Sequence, residues 1–142
     1  MFGINRSTTT TLDSKEAVAA LMLAAVAADG VITEEEVMGF QSAVNRMSMF
    51  RKQNQQDFSK MMNKLLGIVK REGPEALMSM AVGSVPENYK ATAFALCADL
   101  VTGDGDVDPA EEKLLEGMYK ALSLDEAMAV RILEVMAVKN KV

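Results

Sequence analysis

The chain has 142 residues, a formal net charge of −5 and neither histidine nor tryptophan, with a single cysteine. That length suits one domain with a proper core and is short for two. Without histidine there is no Ser-His or Cys-His pair, and with one cysteine there is no protein-built zinc or copper site; any metal here would be held by oxygen, which favours calcium, magnesium or manganese.

Residues 1 to 12, with Thr8-Thr9-Thr10-Thr11, carry no period and read as a flexible tail. Asp13-Ser14-Lys15-Glu16 reads as a helix N-cap, and Val18, Leu21, Met22, Ala25 and Val26 follow at the spacing of one helix face. The apolar run Ala17 to Ala28 could pass for an export signal, but Asp13 and Glu16 stand where positive charge is required and the same pattern recurs mid-chain. It is also too short to span a bilayer. The expected location is the cytoplasm. After an acidic turn, a second helix runs from about Glu34 to Met47 with Val37, Phe40, Val44 and Met47 on one face, then breaks around Ser48 to Gln53. A long helix follows with Phe58, Met61, Met62, Leu65 and Val69 inward, ended by Gly73-Pro74, which opens a short helix through about Val82.

Ser84-Val85-Pro86 opens the next helix, which carries Cys97 on its apolar stripe, as a buried reduced thiol, and leads into a second acidic turn. Beyond it, Leu115, Met118 and Leu122 face inward. Ser123-Leu124-Asp125-Glu126 reads as a capping box for a last helix to about Val138, apolar over most of its girth and so expected at the centre. Aromatic residues are few and methionines number twelve, which reads as core filling by flexible thioethers. The whole is an all-α fold of about seven helices.

The two acidic turns are related. Asp29-Gly30-Val31-Ile32-Thr33-Glu34-Glu35-Glu36 and Asp104-Gly105-Asp106-Val107-Asp108-Pro109-Ala110-Glu111 share the pattern D-G-x-I/V-T/D-x-x-E 75 residues apart. The stripe before the first turn recurs at that offset as Ala93, Leu96, Cys97, Leu100 and Val101. Each half therefore reads as helix, acidic turn, helix. Gly30 and Gly105 supply a left-handed stop, while Thr33 and Asp108 are N-caps with Glu36 and Glu111 three residues on.

Capping alone would explain those residues without a ligand. It leaves Asp29 and Asp104 at the negative end of a helix dipole, and it leaves Asp104, Asp106, Asp108, Glu111 and Glu112 crowded within nine residues. A bound divalent ion would reverse both costs. An EF-hand loop is excluded, because its first two ligand places would fall on Ala25 and Ala27, or Leu100 and Thr102.

The paired signature, Ala27-Ala28-Asp29-Gly30-Val31-Ile32-Thr33-Glu34-Glu35-Glu36 with Asp104-Gly105-Asp106-Val107-Asp108 and Glu111, resembles the TerB-like tellurite-resistance family over about residues 13 to 138. The resemblance implies one TerB-like helical domain, residues 13 to 142, built by duplication, with the acidic turns forming a divalent-metal patch. By that analogy the metal residues are Asp29 and Glu36 from the first copy and Asp104, Asp106, Asp108 and Glu111 from the second. Val31 and Thr33 replace two of the second copy's aspartates, so independent sites would leave the first the weaker.

Charge is polarised along the chain: residues 29 to 36 and 99 to 116 hold eleven of the twenty acids, whereas residues 46 to 71 hold seven bases, from Arg46 to Arg71, and one acid. The bases read as a solvated helix face, and no nucleic-acid motif accompanies them. The function implied by the resemblance is a non-catalytic divalent-metal module in bacterial tellurite, metal or oxidant stress, with other proteins of that system as partners and dimerisation left open. The alternative is a metal-free interaction domain that docks partners on an acidic face. A carboxylate-based hydrolase has no phosphate loop, nucleophile elbow or metal-hydrolase signature behind it.

Overall fold

A computed structural model describes residues 11–103 and 107–141. These residues form seven α-helices and no strand: α1 Ser14–Val26, α2 Glu34–Arg46, α3 Gln55–Glu72, α4 Pro74–Val82, α5 Lys90–Val101, α6 Pro109–Ala121 and α7 Glu126–Lys139. Short 3₁₀ turns, Ser48–Phe50 and Glu87–Tyr89, lead into α3 and α5.

The centre is α1. From Ala17 to Val26 every residue is buried, so the helix has no solvent face at all, and α2, α3, α4, α5 and α6 all pack against it. A run with no polar side chain between Ala17 and Ala28 leaves it no other stable position, and its small residues let the neighbouring helices come close. This corrects the expectation that the last helix is central. On α7 only Ala129 is buried, and the helix lies at the edge against α5 and α6. Both sequences are apolar nearly all round, but α7 carries Arg131 and Glu134 mid-helix, which α1 does not.

Local capping follows the side chains. Asp13, Thr33 and Asp108 each accept a hydrogen bond from the backbone N–H three residues on, and Glu16, Glu36 and Glu111 return the bond to the cap residue's own N–H. A fourth capping box, Asn54 with Asp57, opens α3. Edge-to-face aromatic pairs join α2 to α3 through Phe40 and Phe58, and α5 to α6 through Phe94 and Tyr119, each with ring centroids 6.2 Å apart. Cys97 is a free, fully buried thiol whose pKa burial pushes well up, which leaves it unreactive.

Two boundaries differ from the sequence reading. Leu12, assigned to the tail, is buried in the core, and the Lys64 ammonium donates to the Thr11 carbonyl at 3.0 Å. Leu12 immediately precedes the Asp13 cap, the place where an apolar residue commonly closes over a helix's first turn. Ser123 is not the cap of α7. It adopts φ +59 and ends α6, with its N–H donating to Lys120 O and the N–H of Leu124 reaching back to Tyr119 O at 2.9 Å, while Asp125 caps α7 by accepting from the Met128 N–H.

A left-handed serine at that position is strained, so Ser123→Gly is expected to stabilise the fold by about 0.5–1 kcal/mol, read by chemical denaturation at constant m-value. Leu21→Ala, which opens a hole beside the central helix, is expected to cost about 2–5 kcal/mol in the same measurement.

Candidate functional site

The helix boundaries around the two turns keep one offset. The ends of α1 and α5 at Val26 and Val101, the caps Thr33 and Asp108, and the ends of α2 and α6 at Arg46 and Ala121 are each 75 residues apart. The two turns also open on one space. A cleft of about 510 Å³ is lined by Asp29, Thr33, Glu35, Glu36 and Arg46 from the first helix pair, by Asp99, Gly103, Asp108 and Glu111 from the second, and by Asn140 at the end of α7.

The first turn is built locally. Gly30 sits at φ +86 and its N–H donates to Ala27 O at 2.9 Å, the left-handed stop expected from sequence. Asp29 is exposed, and its Oδ1 accepts from the Val31 N–H at 3.0 Å. That bond gives Asp29 a role in the turn itself, so the aspartate no longer needs an ion to account for it. Glu36 Oε1 accepts from both the N–H and the hydroxyl of Thr33, at 2.9 and 3.1 Å.

In the second turn, Glu111 is buried; its N–H donates to Asp108 Oδ1 at 2.8 Å, and its own Oε1 accepts from the Asp108 N–H at 3.1 Å. Asp104 and Asp106, with Gly105, lie outside the described residues. Of the six residues assigned to metal from the sequence, the cleft thus brings together Asp29, Glu36, Asp108 and Glu111. Each is also tied into its own turn or cap. The second carboxylate oxygens of Asp29, Glu36 and Asp108 take no hydrogen bond among the described residues. The donor chemistry therefore suits a hard cation, but among the described residues no three acidic or thiol groups come together closely enough to hold one.

Three further groups shape the cleft. Asp99, near the end of α5, is held by two donors: its Oδ1 accepts from Asn140 Nδ2 at 2.8 Å and from Lys139 Nζ at 3.1 Å. Burial pushes its pKa up, but the hydrogen bonds from Asn140 and Lys139 and the charges of Lys139 and Arg46 outweigh this and hold it below the ordinary value. Asn140 Nδ2 also donates to Thr102 Oγ1 at 2.9 Å and to the Asp99 carbonyl at 3.2 Å, and Thr102 in turn donates to Ala98 O at 2.8 Å. The end of α7 is thereby latched onto the end of α5. Arg46, read from sequence as part of a solvated basic face, instead lines the cleft as its one cation among the described lining residues.

Asp99 had a signal. It stands in the last turn of an apolar helix, at the negative end of the dipole, where the first copy has Ala24. Asn140 had none, because its partners lie about forty positions away.

Fold and site together define a class: an all-helical domain in which two helix–acidic turn–helix pairs share one carboxylate-lined cleft. Residues 15–134 match the model of the family described as tellurite resistance protein TerB, and the chain belongs to that family. Searches of curated proteins and of solved structures give no match. Among the described residues no helix is long and apolar enough to cross a membrane.

Asn140→Ala is expected to lower stability by about 1–2 kcal/mol at neutral pH. The sign with pH follows from the depressed Asp99 pKa: its contribution is full above the ordinary carboxylate value and is lost as pH falls through the lower folded value. The deficit of the variant relative to wild type should shrink on acidification, as followed by denaturation at stepped pH.

Proposed function

We propose that this protein is a non-catalytic module in a tellurite, metal or oxidant stress response and that its two acidic turns hold a divalent cation between them. One observation carries the reading. Turns 75 residues apart in sequence face the same cleft, and six carboxylates line it against one guanidinium. Asp99, Asp108 and Glu111 from one side would meet Asp29, Glu35 and Glu36 from the other, with Asp104 and Asp106 on the segment joining Gly103 to Asp108. Oxygen donors alone select calcium, magnesium or manganese over zinc or copper. Binding would stitch α2 to α6 and present a rigid face to other proteins of the system.

The anion itself is no ligand for such a cleft, since a carboxylate-lined space repels oxyanions. Any resistance is indirect. A second reading, docking of a basic partner surface without metal, rests on the hydrogen bonds that already engage Asp29, Glu36, Asp108 and Glu111 within the protein.

Asp29→Asn and Asp108→Asn separate the readings, because asparagine can keep the turn and the cap while removing the charge. Calorimetric titration of calcium, magnesium and manganese into the metal-stripped protein is expected to show saturable binding that either substitution weakens at least tenfold. Thermal melts should rise with metal by the equivalent of about 2.7 kcal/mol for wild type at a hundredfold excess over its Kd, and by about 1.4 kcal/mol or less for each variant at the same metal concentration. No heat and unchanged melting would sink the metal reading and leave the docking one.

A further inference from the structure

The exposed face of α7 is apolar where a solvated edge helix should be polar. Met128, Val130, Val135 and Val138 are 44, 46, 59 and 76 % exposed, and Ala127 and Ala137 are exposed beside them. The opposite side already packs on the core through Ala129, Ile132 and Leu133. At about 100° per residue, Ala127, Arg131, Glu134 and Val138 form the centre line of the outer face, flanked on one side by Met128 and Val135 and on the other by Val130 and Ala137. Neither Arg131 nor Glu134 forms an ion pair among the described residues.

We propose that this face is a homodimer interface in which α7 packs antiparallel against α7 of a second copy, about a two-fold axis passing between Ile132 and Leu133. The pattern is its own complement under that operation. With about 1.5 Å rise per residue, Arg131 of each copy stands level with Glu134 of the other, so the two charges on the face form two ion pairs astride the axis. Ala127 stands level with the other copy's Val138. On one flank Met128 meets Val135, and on the other Val130 meets Ala137. Each larger apolar side chain on the outer face thus meets an apolar partner, and the alanines leave room for close approach.

A parallel pairing would set Arg131 beside Arg131 and Glu134 beside Glu134, which repel. Charge thus selects the antiparallel register. One helix pair buries less than the roughly 1,200–2,000 Å² of a standard interface, so the dimer is a weak, concentration-dependent one. The acidic cleft shares no lining residue with this face, since Asn140 turns inward to Asp99 and Thr102.

The test is sedimentation velocity on the full chain over about two decades of concentration up to about 0.5 mM, a range suited to a small interface. Wild type is expected to pass from monomer to dimer. Arg131→Glu and Glu134→Arg alone should each remain monomeric, with dissociation constants raised at least tenfold. Mixing the two variants should restore a dimer, because every level then carries one acid and one base, and the doubly swapped chain Arg131→Glu/Glu134→Arg should dimerise by itself. Circular dichroism of each variant checks that these exposed changes leave the fold intact. A wild type monomeric at every concentration, whether the face is covered by residues 1–10 or by a different protein, overturns the proposal, as does a dimer that both single variants leave unchanged.

Discussion

A helix with no polar side has to be surrounded, and the architecture follows from the burial of α1. Ten consecutive residues without solvent contact require neighbours on every side, and five other helices supply them. At roughly 0.8 kcal/mol for each buried methylene this burial contributes substantially to folding, offset by the chain entropy lost in ordering the helices around it. The first acidic turn hangs directly from the C-terminus of α1. Its position is therefore set by the most completely buried helix of the described residues.

The turns show how few residues serve two purposes. Thr33 with Glu36, and Asp108 with Glu111, close the N-termini of α2 and α6 by reciprocal hydrogen bonds, and the same residues line the cleft. A cap is a local device that aims its carboxylate along the start of a helix. When the starts of two capped helices border one cleft, their carboxylates line a common space while held by their caps, and an incoming cation or basic group would meet preorganised oxygens. The first turns of α2 and α6 both border that space, and the partial positive charge of their N-termini eases the crowding of negative charge there. Arg46 and the Lys139–Asp99 pair ease it further.

The last helix is held unevenly. Asn140 ties its C-terminus to Asp99 and Thr102 by direct hydrogen bonds, and Asp125 caps its start, but its outer surface is left apolar. The latch also places the end of α7 in the wall of the cleft.

The sequence by itself determined the class, the family, most helix limits, the first turn and the caps at Asp13, Thr33 and Asp108. All of these are written in contacts three or four residues long or in a period of 3.6, so their energetics are present in any short segment. The convergence of both turns on one cleft, the edge position of α7, the latch from Asn140 to Asp99 and the turning of Arg46 into the site were decided only by the tertiary structure. Both α1 and α7 are apolar nearly all round, and mid-helix only Arg131 and Glu134 separate them in the sequence. The choice depends on which helix the others can enclose at least cost, and burying α7 would have stranded Arg131 and Glu134 away from water. Partners forty or more positions apart leave no periodic trace along a chain, because their energy exists only once the core has brought them together.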